Sequence, residues 1–353
     1  MTAAYVNRIA TAVPPHDVHM TFLRFAKSML NGHGAVFERM ARKSGIDHRY
    51  SFLAPAGDPD GPVIDRDEFY VRGNFPSTAS RMRYFEAHAP ELAAAAIERL
   101  ELGNDRSSVS HILITCCTGL SAPGLDLEII ERCRLPSTAE RTVIGFMGCY
   151  AAINALKLAR HIVRSEPLSR VLVVNLELCT LHLQETSELE KILSFLLWGD
   201  GCAAALVSSE PHGILLEEFR ALIVPDSRDL ITWQVRDQGF DMVLSGQVPA
   251  AIQTTLKAHI CEVLGQFPIR AVDLWAVHPG GRTVLDAVEH SLDLAPEALA
   301  VSREILRRFG NMSSATVMFV LDALMRGAAK DSAGLAMSFG PGLVAETMRF
   351  RTG

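Results

Sequence analysis

The strongest constraint on this chain is an alternation that runs its whole length: strand-length apolar runs, each leading through a tight turn into a helix. Its clearest instance is Thr142-Val-Ile-Gly-Phe-Met-Gly-Cys-Tyr-Ala-Ala-Ile-Asn-Ala-Leu-Lys-Leu-Ala-Arg160. The first part predicts a short buried strand and Gly148 a turn. Ile153, Leu156, Leu158 and Ile162 then recur at helical spacing. Further strands are predicted at Tyr5–Ala12, His111–Thr115, Val171–Leu178, Gly201–Ser208, Ile214–Val224, Val272–Val277, Gly334–Phe339 and Glu346–Phe350. Helices are predicted over 22–43, Thr78–Leu100 (with Ser77 as its N-cap), Val248–Gln266, Arg282–Leu292 and Met312–Met325. Residues 50–76, rich in Pro, Gly and Asp, read as a long surface loop. Strands alternating with helices imply α/β layers, with helices packed on mixed sheets. A polar residue between strand and helix occurs in each half, Cys149 in one and His278 in the other. This suggests an internal duplication, with halves at 1–212 and 213–353.

Composition narrows the function classes. The 353 residues are 48% hydrophobic and 21% charged, which fits a globular chain with a large core. A net charge of −6 without a Lys/Arg block gives no reason to expect nucleic-acid binding. No apolar run reaches the ~18–20 residues needed to cross a bilayer. The start, Met-Thr-Ala-Ala-Tyr-Val, lacks a basic region followed by an apolar run, so no secretory signal is expected. The seven cysteines are Cys116, Cys117, Cys133, Cys149, Cys179, Cys202 and Cys261. They form no metal-ligand spacing, so no metal is expected. All but Cys149 read as buried free thiols of a reducing cytoplasm.

Cys149 differs by position. Between a strand and the first turn of a helix it meets unpaired N–H groups and the positive end of the helix dipole. Both favour the thiolate, which is the nucleophile. His278 and Asn311 also stand at sharp turns. Imidazole can hold a thiolate, and imidazole with a side-chain amide can donate to a developing oxyanion. Arg39 and Lys43 lie four apart on one helix face. Glu177 is a carboxylate in an apolar strand and therefore needs partners.

These residues sit in motifs that resemble the type III polyketide synthases, the chalcone-synthase-like enzymes. The motifs are Gly148-Cys149 before an Ala-rich helix, Leu197-Trp198-Gly199-Asp200-Gly201, Val277-His278-Pro279-Gly280-Gly281, Gly310-Asn311-Met312-Ser313-Ser314, and Phe339-Gly340-Pro341-Gly342-Leu343 followed by Glu346-Thr347. The resemblance covers nearly the whole chain. It implies a thiolase-like α/β fold, two duplicated βαβαβ halves in a layered αβαβα arrangement, and a homodimer.

The same resemblance implies Cys149 as the acyl attachment site. It also implies that His278 and Asn311 promote decarboxylation of malonyl-CoA and stabilise the enolate. Coenzyme A thioesters are then the substrates, with no metal or redox cofactor. It implies Arg39 and Lys43 as contacts of the coenzyme A phosphates, and Trp198 as an aromatic gatekeeper. Cys117, Cys179, Trp233, Met242 and Ser313 fall where such enzymes vary their cavity wall. Phe339, Gly340, Pro341 and Gly342 would scaffold that cavity. A trio of Cys117, Glu177 and Ser313 occupies the place of a water-activating network, with a structural role for Glu177 favoured. The Cys116-Cys117-Thr118-Gly119 text resembles microbial members. This points to a fatty acyl starter, and to an alkylpyrone, alkylresorcinol or alkylresorcylic acid as product. Three rival readings share parts of the pattern: a priming ketoacyl synthase making one condensation, a cysteine hydrolase, and a non-catalytic protein of this fold.

Overall fold

Val171 and Val173 pack into one core while Leu172 and Val174 pack into another, and all four are fully buried. A strand covered on both faces belongs in the interior of a layered α/β protein, which is why its sequence is an unbroken apolar run. The computed structural model that shows this describes residues 2–30, 34–58 and 60–353. The first half runs β1 (Tyr5–Ala12), β2 (His16–Asp17), α1 (His19–Met29), α2 (Gly34–Ser44), β3 (Tyr50–Ser51), α3 (Thr78–Arg99), β4 (His111–Cys116), α4 (Leu125–Cys133), β5 (Glu140–Gly145), α5 (Ala151–Ser165), β6 (Val171–Leu178), α6 (Leu189–Phe195) and β7 (Asp200–Ser208). The second runs β8 (Ile214–Ile223), β9 (Ile231–Arg236), β10 (Gly239–Leu244), α7 (Val248–Ala258), α8 (Ile260–Leu264), β11 (Leu274–Val277), α9 (Arg282–Leu292), α10 (Ala300–Phe309), α11 (Thr316–Gly327), β12 (Ala333–Gly340) and β13 (Val344–Thr352).

The main sheet has nine strands in the order β11-β12-β13-β8-β1-β7-β6-β4-β5. Read outward from the β1–β8 seam, both sides repeat one pattern: antiparallel, antiparallel, parallel. Helices α5 and α11 share the central core, α3 and α4 cover one outer face, and α7 and α9 cover the other. This is the expected layered arrangement.

The repeat pairs the functional residues differently from the sequence reading. In strand order, β4 corresponds to β11 and β6 to β12. The turn of Cys149, which enters α5, therefore corresponds to the Asn311–Ser313 turn that enters α11. His278, at the end of β11, corresponds to Cys116-Cys117 at the end of β4.

Local expectations hold where periodicity is long and caps are present. Helix α3 begins at Ser77, whose hydroxyl accepts the Ser80 N–H at 3.3 Å. The predicted helix 22–43 is instead two helices, α1 and α2, with residues 31–33 outside the described residues. Arg39 and Lys43 accordingly belong to α2. The predicted helix 248–266 breaks at His259, between α7 and α8. The loop 50–76 is not simply a surface loop: Leu53, Asp65, Tyr70 and Phe75 are buried. The Asp65 carboxylate accepts the N–H groups of Asp67, Phe69 and Tyr70 at 3.1, 3.0 and 2.8 Å, which folds the loop inward. Strand β5 was expected to be buried, but it is exposed, with Val143 56% accessible. It ends the sheet and pairs only with β4. Cys261, on α8, is exposed rather than buried. No helix among the described residues is long and apolar enough to cross a membrane.

Candidate active site

Cys149 lies in a short 3-10 turn, Gly148–Tyr150, which continues into α5. Gly148 has φ +71° there, and a Cβ on it would fall 2.2 Å from Pro341 Cδ. A Cβ on Gly340 would fall 2.7 Å from the Tyr150 ring and 3.2 Å from the Cys149 amide nitrogen. The Gly340-Pro341-Gly342 loop is thus pressed onto the nucleophile turn, which explains both glycines. The Gly342 N–H donates to the Ile231 carbonyl at 2.9 Å, tying the loop to the β9–β10 hairpin. Phe339 points away from the cavity into the outer core of the second half.

Asn311 is held by a second close approach. Its N–H donates to the Leu197 carbonyl at 2.7 Å, and its carbonyl accepts the Gly199 N–H at 3.0 Å. A Cβ on Gly199 would fall 2.6 Å from the Phe309 carbonyl, and one on Gly310 2.7 Å from the Leu197 carbonyl. The Trp198-Gly199 and Gly310-Asn311 segments therefore need glycine to lie side by side. The Asn311 amide donates to the Gly280 carbonyl at 3.2 Å, two residues beyond His278. Its oxygen accepts the Ser313 N–H at 2.9 Å. The Cys149 thiol meets the Ser313 hydroxyl at 3.9 Å. Asn311 and Ser313 thus link the turns that carry Cys149 and His278.

A cavity with about 410 Å³ of empty space opens at Cys149. It is walled by Cys117, Cys179, Trp198, Trp233, Met242 and Ser313 among others. Trp233 holds its place by donating its indole N–H to the Cys117 carbonyl at 2.9 Å. It meets Trp198 edge-on at 6.2 Å. A second apolar cavity, with about 570 Å³ of empty space, lies between α1, the 50–70 segment and α6. Phe22, Phe25, Leu53 and Phe195 line it, and it shares Cys179 and Trp198 with the first. Sequence reading missed this cavity, because its walls come from segments distant in the chain.

Charge states depart from the sequence expectation. Burial pushes the Cys149 thiol up to about 12, more than its contacts with Ser313 and Asn311 lower it. Burial alone pulls the His278 imidazole down to about 3. A helix terminus therefore does not by itself supply a thiolate here, since desolvation outweighs it. Each group alone is neutral. A proton passed from the thiol to an imidazole would bring no net charge into the dry cavity. Neither His278 ring nitrogen has a hydrogen-bond partner among the described residues.

Glu177 sits in a different network from the one expected. Its carboxylate accepts the Cys117 N–H at 2.9 Å, the Thr118 hydroxyl at 3.0 Å and the Ser314 hydroxyl at 2.7 Å. The partners are Thr118 and Ser314, not the Cys117 thiol and Ser313. The Cys117 sulfur instead accepts the Gly148 N–H at 3.0 Å, and the Ser313 side chain turns to Cys149. Burial raises Glu177 to about 7. Arg39 and Lys43 are exposed on α2 and line neither cavity. The Arg282 guanidinium donates to the Lys43 carbonyl at 3.4 Å, joining the end of α2 to the start of α9.

Comparison with known proteins now becomes informative. Residues 3–211 match the family model of chalcone and stilbene synthases, N-terminal domain, and residues 216–352 match the C-terminal domain. The chain belongs to this family. It is a type III polyketide synthase, an acyltransferase with a thiolase-like fold. It is 31% identical, over 99% of its length and 91% of the relative's, to the alpha-pyrone synthesis polyketide synthase-like Pks18 of Mycobacterium tuberculosis. It is 30% identical, over 98% of its length and 91% of the relative's, to bisdemethoxycurcumin synthase of Oryza sativa subsp. japonica. Among solved structures, PKS-I of the brown alga Ectocarpus siliculosus superposes with a TM-score of 0.89 at 27% identity, covering 100% of this chain and 99% of that one. The C-terminal type III polyketide synthase domain of Steely1 from Dictyostelium superposes at 0.90. At 22% identity, with 99% of both chains covered, it supports the fold alone.

Proposed function

We propose that this synthase loads a fatty acyl group from coenzyme A onto Cys149, extends it with malonyl-CoA, and releases a cyclised alkylpyrone, alkylresorcinol or alkylresorcylic acid. The observation that carries the fatty starter is the second apolar cavity, which meets the Cys149 cavity at Trp198 and Cys179. An aliphatic tail gains by leaving water for such walls. The name of the Mycobacterium relative, alpha-pyrone synthesis, supports the pyrone among the three product types.

In this reading the Cys149 proton passes to His278 as sulfur attacks the thioester, and coenzyme A departs. Loss of CO2 from malonyl-CoA then leaves negative charge on the thioester oxygen. His278 and the second N–H of the Asn311 amide, the one not donated to Gly280, stabilise it by donating hydrogen bonds. The enolate carbon attacks the acyl carbon on Cys149, the Cys149 thiolate leaves, and the chain, two carbons longer, is now a coenzyme A thioester that must reload on Cys149 for the next round. Arg39 and Lys43 hold the coenzyme A phosphates, no further cofactor is needed, and the enzyme works in the cytoplasm. The exposed β5 edge, with Val143 and Phe146, supports a homodimer, because an open apolar edge is a pairing surface.

The test is a product screen. The protein is incubated with malonyl-CoA and short, medium or long fatty acyl-CoAs, plus one aromatic acyl-CoA, with Cys149→Ala as control. Pyrones or resorcinols that vanish in the control are expected, with long-chain starters preferred. A single ketoacyl product would move the assignment to a priming ketoacyl synthase. A preference for the aromatic starter would overturn the fatty reading.

A further inference from the structure

Two buried N–H groups beside the cavities have no partner among the described residues: the Trp198 indole Nε1 and the Arg49 Nη2. Trp198 is 6% exposed and Arg49 2%. The rest of the Arg49 guanidinium is engaged. Nε donates to His19 Nδ1 at 3.0 Å, and Nη1 donates to the Phe195 and Trp198 carbonyls at 2.9 and 2.7 Å. The Arg49 stem lies against Gly310, where a Cβ would fall 2.8 Å from Arg49 Cγ. Arg49 lines the second cavity, and its guanidinium carbon lies 4.5 Å from the centre of the Phe22 ring, which lines it as well. Trp198 lines both cavities. Leaving a buried donor unpaired is unfavourable, so an occupant bringing oxygen acceptors to this shared wall would gain what the protein forgoes.

The chemistry of the surroundings says which acceptor. Asp65 lines the same cavity, and Asp17 and Asp200 already act on Arg49 electrostatically. A further carboxylate would meet existing negative charge, whereas a neutral ketone would not. A starter acyl chain carries only its thioester carbonyl. Each condensation leaves one more ketone two carbons along the chain. Internal ketones are thus the feature that separates an extended chain from its starter.

We propose that Trp198 Nε1–H and Arg49 Nη2–H hold ketone oxygens of the growing polyketide as it moves from the Cys149 cavity toward the second cavity, so that extended chains are retained over unextended ones. This rests on the iterative reading above. Trp198→Phe keeps an aromatic wall and removes the donor. With decanoyl-CoA and malonyl-CoA, the ratio of products from two or more condensations to the one-condensation product should fall about fivefold or more. Arg49→Lys, which keeps a cation near the Phe195 and Trp198 carbonyls, should move the ratio the same way by less. A ratio within twofold of wild type in Trp198→Phe would overturn the proposal.

A second arm does not depend on turnover. In Cys149→Ala, the N-acetylcysteamine thioester of 3-oxodecanoate should bind more tightly than that of decanoate, measured by calorimetry. Adding Trp198→Phe should erase the difference. Equal affinities in Cys149→Ala would overturn the proposal even if the synthase activity itself were never observed.

Discussion

Two buried polar clusters lie within the same layers of this molecule and are built on opposite principles. Around Glu177 every carboxylate lone pair in use meets a donor: the Cys117 N–H, the Thr118 hydroxyl and the Ser314 hydroxyl. Thr115 extends the network by bonding to Ser314 at 2.9 Å and accepting from Asn175 at 2.7 Å. Around Cys149, among the described residues, both His278 ring nitrogens and the Trp198 indole N–H are without a partner. This network joins β4, β6 and the turn before α11 and contributes stability, with Asn175 Oδ1 its one buried atom without a partner among the described residues. The cluster around Cys149 is kept open for a reactant, at some expense in stability.

The largest effect that would break this comparison concerns His278. His278→Ala should lower product formation by about 10²–10³-fold, the range for removing an oxyanion donor. The melting temperature should fall less than in Glu177→Ala, because a cavity is left but no side-chain hydrogen bond is lost. A loss of stability as large as that of Glu177→Ala would place His278 in the structural class with Glu177. Glu177→Ala should do the reverse. It strands three donors and leaves a cavity, so thermal denaturation should show a loss of about 3 kcal/mol or more.

A pH series sharpens the contrast. The folded-state pKa of Glu177 is raised, from 4.5 to about 7. Its contribution to stability is therefore fully present below pH 4.5 and lost as pH rises through 7, since the native state binds more protons in that window. The stability of wild type relative to Glu177→Gln should fall between pH 5 and pH 8. A difference that does not change with pH would show that Glu177 is ionised throughout. The smallest effect is at the cavity wall. Trp233→Ala removes the bond to the Cys117 carbonyl and enlarges the cavity at Cys149. It should shift the product distribution a few-fold toward bulkier starters or longer chains, read by mass spectrometry of a mixed-starter reaction.

How much of this was legible in the sequence depends on how local the cause is. Strand β6 and helix α9 were read to the residue, because a strand buried on both faces and a glycine-started amphipathic helix advertise themselves. The turns of Cys149 and Asn311 were legible for a similar reason: each sits beside a glycine, Gly148 or Gly310, that a close approach requires. The exposure of β5 was not, since an apolar strand looks the same at an edge as in the middle of a sheet. The choice of Ser314 over Ser313 as the Glu177 partner was also hidden. It turns on Ser313 at φ +46°, which sends neighbouring hydroxyls in different directions. The second cavity and Arg49 could be found only after folding. One signal for Arg49 was available: a charged residue just before the apolar-alternating Tyr50-Ser51-Phe52-Leu53 text.

The claim beneath all of this is that Cys149 and His278 ionise only as a pair. The direct measurement is the rate of iodoacetamide alkylation at Cys149 from pH 5 to pH 10, followed on the Cys149 peptide by mass spectrometry in wild type and His278→Ala. The account predicts reaction near neutral pH in wild type. In the variant, whose thiol is left with its buried pKa of about 12, the rate at pH 7 should drop about tenfold or more and recover only toward alkaline pH. Equal rates in the two proteins at pH 7 would contradict it.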